Sequence, residues 1–292
     1  MRLSEALLPL LPDPGNGGVI ALVGAGGKTR ALFGLGEALS LRGQDVVLTT
    51  TTYLFDPRLE PARVFDQVVL EPAYAAPPAS GADPTGLWER VPPFPGRGRR
   101  IVVVSSALPD EGKLRGIDPA WVAPLAGQRT FVLVEADGSR GRPVKAPEAH
   151  EPVIPAITQV VLGFVGLDGL GRPMDDTTVH RPERFGAVTG CAPGASIRLS
   201  HLAALARSPQ GLFKGTPAGA QRVLLLNKAD RCPRAPADLL RDLCVADPLG
   251  VDLVLVCALG DPDPAKEVLA QVRPPFAPCA QGAPREGACR CH

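Results

Sequence analysis

The chain has 292 residues, of which 45% are hydrophobic and 21% charged, and its formal net charge is +1. This length and composition are those of a globular protein with a sizeable core, whereas the near-zero charge gives no overall field that would attract nucleic acid or a membrane surface. No apolar run approaches the roughly 18 residues that a membrane-spanning helix needs, so we expect a cytoplasmic protein with neither nucleic acid nor membrane among its partners.

The amino-terminal stretch and the cysteines agree with that expectation. Glu5, Pro9 and Pro12 interrupt the apolar residues near the start of the chain, which favours a short amphipathic helix over a signal peptide. The seven cysteines are odd in number and the first four are widely scattered. That pattern is typical of reduced thiols and not of a disulfide framework.

A strand, a glycine turn and a helix are predicted between residues 19 and 41. The apolar run at 19–23 predicts a strand buried on both faces, and a helix-permissive segment begins near Arg30. Glycines in the intervening turn let backbone N–H groups point inward as an anion-binding nest, to which a helix N-terminus adds positive charge. We therefore predict that nucleotide phosphates are bound by Gly24, Ala25, Gly26, Gly27, Lys28, Thr29 and Arg30, with Lys28 on the β- and γ-phosphates and Thr29 on Mg²⁺.

This turn departs from the standard phosphate loop. The pattern G-x-x-x-x-G-K-[ST] is shortened here to G-x-G-G-K-T, as also happens in Mur-type ligases, which bind nucleotides with a short loop. The competing interpretation is a glycine-rich strand-to-helix turn with an exposed lysine.

A second buried strand is predicted at residues 45–48, and four threonines follow it. Thr50 and Thr51 lie where α/β sheets bind ligands, so their hydroxyls are candidates for holding Mg²⁺ or a phosphate oxygen. Simple β-propensity explains the threonines equally well. The Pro-, Gly- and Ala-rich segment at 72–100 predicts an irregular excursion.

Strands at 101–105 and 130–138 come next, and the second ends in acidic residues. An apolar strand ending in Glu135 and Asp137 resembles a Walker-B element, so Asp137 is a candidate Mg²⁺ ligand and either carboxylate can orient an attacking water. The cationic loop that follows contains Arg140, Arg142 and Lys145. We predict that this loop clamps phosphates or an anionic cofactor, with Arg140 in the catalytic set; a solvated loop is the competing interpretation.

The second strong pattern is the strand at 222–226 followed by Asn227, Lys228, Ala229 and Asp230. Asn-Lys-x-Asp is the spacing that GTPases use for guanine: an Asp carboxylate accepts from guanine N1–H and N2–H₂ together, and a Lys stem covers the base. Adenine lacks the N1–H and leaves the carboxylate partly unpaired. A strand end with an Asx-type turn is the competing interpretation.

The remaining segments predict a strand at 159–166, a helix at 195–207, a last strand at 251–259 and a closing helix at 263–272. His180 is more typical of a capping or surface residue than of an acid–base catalyst. Residues 273–292 are typical of a flexible tail, although Cys289, Cys291 and His292 can hold a soft metal ion.

Taken together, the motifs resemble the selenium-dependent hydroxylase accessory protein family called YqeC. The resemblance covers roughly residues 1–272, and its most specific part is 135–155; the cysteine tail and the length of the Pro-rich segment fall outside the family pattern. The motifs that carry it are 23–29 (VGAGGKT), 49–52 (TTTT), 135–147 (EADGSRGRPVKAP), 150–155 (HEPVIP), 179–183 (VHRPE) and 227–230 (NKAD).

The resemblance implies an accessory role in maturing selenium-containing molybdenum hydroxylases, with the client enzyme or its cofactor as partner. It does not specify the biochemical step. The chain is also similar to other metallocentre-maturation NTPases, in which nucleotide turnover gates insertion of a metal or cofactor.

We therefore expect one P-loop NTPase-like α/β domain over residues 1–272, with a mainly parallel, doubly wound sheet. The expected function is Mg²⁺-dependent nucleotide binding, with GTP favoured over ATP, and slow hydrolysis coupled to cofactor or selenium delivery. Two other functions stay open: an ATP-dependent ligase or transferase acting on a small anionic or pterin-type substrate, and a non-hydrolytic chaperone for the molybdenum cofactor.

Overall fold

A computed structural model describes residues 1–13, 15–60, 63–79, 101–108, 112–127, 129–245, 249–260 and 267–273. The strands in chain order are β1 (Gly18–Gly24), β2 (Asp45–Thr50), β3 (Tyr53–Phe55), β4 (Gln67–Leu70), β5 (Ile101–Ser105), β6 (Lys113–Arg115), β7 (Thr130–Glu135), β8 (Val144–Lys145), β9 (Val160–Gly166), β10 (Val179–His180), β11 (Gln221–Asn227), β12 (Leu253–Cys257) and β13 (Val268–Val272). The α-helices are α1 (Leu3–Leu7), α2 (Lys28–Ser40), α3 (Val122–Leu125), α4 (Pro182–Thr189), α5 (Leu199–Arg207) and α6 (Pro236–Val245).

The described residues form a mixed α/β fold around one large sheet. Its nine strands run in the order β13-β12-β11-β9-β1-β7-β2-β5-β4, and every neighbouring pair is parallel except β12 with β13. The strands on one side of β1 come from the first half of the chain, and those beyond β9 come from the second half. The predicted mainly parallel sheet is thus confirmed, and β1 lies near its middle.

Alternate residues of each central strand face two separate layers of side chains. Ile20 and Leu22 of β1 pack in a cluster with α1 and α2, whereas Ala21 and Val23 pack with α4, α5 and α6. Val19 faces the same side as Ala21 but packs with residues of α3. The strand is buried throughout because both of its faces are covered.

The carboxyl ends of the parallel strands share one edge of the sheet. The turn after β1, the acidic residues after β7 and the Asn227–Asp230 loop after β11 therefore all lie at this edge. Ligands of open α/β sheets bind at this edge, beside the point where the strand order changes direction.

The carboxyl-terminal prediction was wrong. The stretch at 251–259 is not the last strand, and the residues described within the predicted helix at 263–272 form β13, antiparallel to β12. Val268 packs in the cluster that includes α1 and α2, whereas Ala270 and Val272 pack against the cluster of α4, α5 and α6. The change of side coincides with a register shift between Val256 and Cys257 of β12.

Several other expectations have simple outcomes. A short amino-terminal helix is present as α1, and the helix expected from residue 195 begins at Leu199. Most of the Pro-rich excursion and the tail with Cys289, Cys291 and His292 lie outside the described residues. None of the helices in the described ranges is long and apolar enough to cross a bilayer.

Candidate functional site

The turn between β1 and α2 is a tight loop that requires glycine. Gly24, Gly26 and Gly27 have φ angles of 87°, 95° and 134°, in the region that side-chain-bearing residues rarely adopt. A Cβ at Gly27 would lie 2.3 Å from the Asn227 amide nitrogen, and one at Gly26 would lie 2.5 Å from the backbone nitrogen of Gly166. The close approach of β9 and β11 thus fixes both positions as glycine.

The turn presents amide groups toward the carboxyl edge. Gly24 N donates to Asp137 Oδ2 at 3.0 Å, and Ala25 N donates to Phe164 O at 2.9 Å. Within the described part of the chain, no hydrogen bond is found for the amide groups of Gly26, Gly27 or Lys28. Unpaired amides at a helix N-terminus are the groups that bind anions.

Lys28 folds back over this turn instead of extending into solvent. It is 4% exposed; its ammonium donates to Gly24 O and lies 3.1 Å from Asp137 Oδ1 and 3.9 Å from Glu135 Oε1. Burial would lower the Lys28 pKa, but the Asp137 and Glu135 carboxylates outweigh it and the pKa is raised. Lys28 is therefore charged and neutralised by side chains of the protein itself.

Glu135 joins the turn to strand β7. Thr29 Oγ1 donates to Glu135 Oε2 at 2.9 Å. Burial raises the pKa of Glu135, and the hydrogen bond from Thr29 and the charge of Lys28 only partly offset this effect. A hydroxyl and a carboxylate side by side are both suitable oxygen ligands for Mg²⁺. No cluster of three or more His, Cys, Asp or Glu side chains with metal-binding geometry occurs among the described residues, so Mg²⁺ held here would need ligand oxygens from a nucleotide or water.

Five residues of alternating charge, joined by four ion pairs, connect the turn with the surface. Lys28 contacts Asp137, Asp137 Oδ2 lies 3.0 Å from Lys145 Nζ, Lys145 lies 2.9 Å from Glu151 Oε2, and Glu151 pairs with Arg181. We call these five residues the ion-pair chain. Lys145 also donates to Gly138 O at 2.6 Å.

The ion-pair chain is buried except at its Arg181 end. Arg181 and Lys145 hold the pKa of Glu151 at about 2, against the effect of burial, which alone would raise it. Lys145, expected to clamp phosphates, is 2% exposed and committed to two carboxylates.

The threonines that follow β2 use their hydroxyls locally. Thr50 Oγ1 donates to Glu135 O at 2.7 Å and Thr51 Oγ1 donates to Val153 O at 2.9 Å. They tie β2 to β7 and to the segment after Glu151. In this structure they hold the carboxyl edge together and do not point a free hydroxyl at the glycine turn.

The loop after β11 reaches back to the glycine turn through Asn227. Asn227 Nδ2 donates to Gly26 O at 2.7 Å, and Asn227 Oδ1 accepts from Leu259 N at 3.0 Å. Both ends of this buried side chain are therefore occupied by backbone groups. Asn227 joins the turns that follow β1, β11 and β12.

The next two charged residues of the loop differ from Asn227. Lys228 has a φ of 63° and its ammonium pairs with Asp168 Oδ2 at 2.8 Å. The Asp230 side chain is 49% exposed, and its carboxylate lies 3.8 Å from Nε of the neighbouring Arg231. Asp230 is thus free to rotate toward a ligand, whereas Lys228 is held against the segment after β9.

Arg140 and Arg142 do not lie in the ion-pair chain. Together with His180 and Arg181 they line a cavity of about 470 Å³; we call this the arginine cavity. Arg140 and Arg181 adopt left-handed φ angles of 49° and 69°, which is uncommon for arginine and occurs most often at functional sites. Arg30 is exposed on the first turn of α2.

Glu151, Arg181 and Asp168 were missed as parts of the site. Composition and periodicity do not identify them, because each is a single polar residue in an irregular segment. Glu151 and Arg181 do belong to motifs that carry the family resemblance, and that is the signal by which they could have been found.

These features define a mixed α/β protein with a glycine turn at the middle of a parallel sheet and buried carboxylates beside it. The chain belongs to the YqeC family, since the family model described as YqeC protein matches residues 20–183. It is 38% identical over 229 residues to the Escherichia coli K12 protein named "Uncharacterized protein YqeC", and the alignment covers 77% of this chain and 82% of that protein. No solved structure matches the chain. The range matched by the family model includes the glycine turn and the ion-pair chain, but not Asn227–Asp230.

Proposed function

We propose that this protein is a P-loop NTPase-like, Mg²⁺-dependent nucleotide-binding protein that favours GTP over ATP and hydrolyses it slowly. We further propose that it serves as an accessory factor in the maturation of selenium-dependent molybdenum hydroxylases, delivering cofactor or selenium. The family resemblance supports the accessory role. The geometry of the glycine turn supports the nucleotide site.

One observation carries the nucleotide proposal. The glycine turn places the unpaired amides of Gly26, Gly27 and Lys28 at the carboxyl end of a central parallel strand, and the side chains of Lys28 and Thr29 follow at once on the first turn of α2. Amides, a helix N-terminus and a lysine are the elements that bind a polyphosphate. A phosphate arriving here replaces Asp137 and Glu135 as the partner of Lys28.

Thr29, Glu135 and Asp137 fit the role of holding a magnesium ion. The carboxylates of Glu135 and Asp137 lie within 4 Å of the Lys28 ammonium, and the Thr29 hydroxyl is hydrogen-bonded to Glu135. Bound Mg²⁺ would supply positive charge to the β- and γ-phosphate oxygens. Thr29 and the two carboxylates would orient the ion. Arg140, expected in the catalytic set, lines the separate arginine cavity and is given no part in the nucleotide site.

Guanine selection is assigned mainly to Asp230. Its exposed carboxylate can accept from N1–H and N2–H₂ of guanine, a pair of donors that adenine lacks. Asn227 supports the base site by tying it to the turn, because its own amide is already bonded at both ends. Lys228 can cover the base only after leaving Asp168.

The proposal is tested by calorimetry of GTP and ATP in Mg²⁺ with Lys28→Ala. We expect loss of measurable binding of both nucleotides, since the phosphates lose their main cation. Lys113→Ala on strand β6, whose ammonium lies over the Phe55 ring, should bind as the wild type does. Unchanged GTP affinity in Lys28→Ala would refute the assigned role.

Thr29→Ala gives a second test that leaves the ion pairs of Lys28 in place. We expect nucleotide affinity to become insensitive to Mg²⁺ and Thr29→Ser to restore the dependence, because serine keeps the hydroxyl. Wild-type Mg²⁺ dependence in Thr29→Ala would show that the hydroxyl does not contact the ion.

One observation favours the ATP-dependent ligase or transferase. The side chain of Asn227, expected to read guanine, is occupied by Gly26 and Leu259, so base selection depends on Asp230. Competition separates the two functions: GTP displaced equally well by ATP would favour the ATP-dependent enzyme. Nucleotide binding without phosphate release, even in the presence of a client hydroxylase, would instead favour the non-hydrolytic chaperone.

A further inference from the structure

The arginine cavity is lined by two arginines that have no carboxylate partner in the ion-pair chain. Within the described part of the chain, Arg140 and Arg142 take part in no ion pair, whereas Arg181 is paired with Glu151 and Glu148. Asp176 is the acidic residue among the lining side chains. Two unpaired guanidinium groups, the paired Arg181 and the single lining carboxylate of Asp176 thus surround a cavity large enough for a small molecule.

The position of the arginines is set by the backbone. Arg140 and Arg181 both have left-handed φ angles, and Arg181 is the residue that precedes α4. A non-glycine residue in this conformation is strained and persists where the surrounding structure stabilises it. The backbone is therefore fixed at the two positions from which Arg140 and Arg181 reach the cavity wall.

The lowered pKa of His180 agrees with the excess of positive charge around the cavity. Burial together with Arg181, Lys145 and Arg140 lowers the His180 pKa to about 4, so the imidazole is neutral at pH 7. A neutral imidazole carries one N–H donor that an oxyanion can accept. The cavity thus combines guanidinium forks, which match phosphate geometry, with a neutral donor.

A second cavity of about 560 Å³ adjoins the first, because Asp176 and Pro182 belong to both walls. Met174, Cys191 and Pro193 line it together with the acidic residues Asp175 and Glu183. A partly apolar space thus lies beside the arginines, where the ring of a bound phosphomonoester could lie.

We propose that the arginine cavity binds a phosphomonoester of a small ring compound, at a site separate from the nucleotide turn, with the phosphate on Arg140, Arg142 and Arg181. The lysine that serves the nucleotide turn is joined to the cavity only through the four contacts of the ion-pair chain. Each site has its own cations, so each can be occupied by its own anion. The inference does not require nucleotide binding at the glycine turn.

The test is calorimetric titration of nucleotide-free protein with inorganic phosphate and with phenyl phosphate at low ionic strength. We expect Arg140→Gln and Arg142→Gln each to weaken phenyl phosphate binding about tenfold, the loss of one charge-assisted hydrogen-bonding group. The matched control is Arg42→Gln, an exposed arginine after α2, which should bind as the wild type does. Wild-type affinity in the double variant Arg140→Gln/Arg142→Gln would overturn the proposal.

Two further measurements locate the phosphate and the ring. The imidazole NMR signal that His180→Gln removes should shift when phenyl phosphate binds, and its failure to shift would place the ligand elsewhere. Phenyl phosphate should bind at least fivefold more tightly than inorganic phosphate, and equal affinities would reject the ring compound.

Lys28→Ala separates this inference from the proposed nucleotide function. The variant should still bind phenyl phosphate within about twofold of the wild type even if it has lost GTP. Failure of GTP binding in the wild type leaves the cavity proposal standing, whereas loss of phenyl phosphate binding in a folded Lys28→Ala protein overturns it.

Discussion

The glycine turn after β1 and the loop after β11 lie at the same edge of the sheet but hold their charged side chains in opposite ways. Lys28 is buried and touches a carbonyl and two carboxylates, whereas the Asp230 side chain is 49% exposed with one long contact to Arg231. Lys28 is already fixed by its partners, so an incoming phosphate would have to replace the carboxylates that now bind the ammonium. An exposed carboxylate pays desolvation only when a ligand arrives. The comparison therefore predicts large effects on folding at the turn and effects confined to binding at the loop.

The largest expected effect is that of Asp137→Ala. This change leaves Lys28 and Lys145 buried with one partner fewer each, and breaking a buried ion pair costs about 3–5 kcal/mol. The free energy of unfolding, measured by urea denaturation, should fall by that amount. Asp238→Ala, which removes an exposed partner of Arg241, should change it by less than about 0.5 kcal/mol. Equal effects of the two variants would contradict the preorganised ion-pair chain.

Lowering the pH should reveal how much Glu151 contributes to the free energy of unfolding. Its folded pKa of about 2 lies below the ordinary value of 4.5, so the ionised form stabilises the fold at neutral pH, and this contribution is lost as pH falls from about 4.5 toward 2. The linked free energy is about 3 kcal/mol. The difference in unfolding free energy between the wild type and Glu151→Gln should shrink across that range. A difference independent of pH would show that Glu151 is not held ionised by Lys145 and Arg181.

Gly27→Ala tests the close backbone contact between the glycine turn and the loop after β11. The added Cβ meets the Asn227 amide in a conformation that favours glycine, so we expect a loss of about 2 kcal/mol in unfolding free energy. Gly34→Ala is the matched control, because nothing lies within 4 Å of its Cβ inside α2. There the substitution should stabilise by about 0.5–1 kcal/mol. Similar thermal shifts in both variants would contradict the close contact between the two turns.

The smallest effect is expected at the open loop. Asp230→Asn should leave the unfolding free energy unchanged within about 0.5 kcal/mol. It should weaken GTP binding by about 1–3 kcal/mol while leaving ATP binding unaffected, because the carboxylate that we propose as the acceptor of both guanine donors is lost. The ratio of GTP to ATP affinity measures this directly. A ratio that stays at its wild-type value would remove Asp230 from the base site.

The fold could be predicted from the sequence wherever a strand is buried on both faces. The apolar runs that became β1, β2, β5, β7, β9 and β11 are recognisable without context. β13 was missed because its alternation is short, and the residues before it fit a helical pattern equally well. Its pairing with β12 is a tertiary contact that no local propensity encodes.

Only those residues of the candidate site that lie in recognisable motifs could be predicted from the sequence. Lys28 and Asp137 were found because each follows a strand in a recognisable motif. Their direct contact, and the commitment of Lys145 to Glu151, depend on how the segments after β7 and β9 fold against the sheet. Arg140 and Arg142, which line the cavity, look like the buried Lys145 of the same loop in sequence, and packing alone separates them.

The buried carboxyl of Glu135 links the proposed nucleotide binding to protonation. Its pKa is raised by burial, and Lys28 and Thr29 oppose that rise, so a new charge beside this carboxyl shifts its pKa. A polyphosphate that draws Lys28 away drives proton uptake, whereas a divalent cation arriving beside Glu135 drives proton release. The dependence of the binding enthalpy on the ionisation enthalpy of the buffer gives the sign of this exchange, and the sign tells which charge has arrived next to the strand.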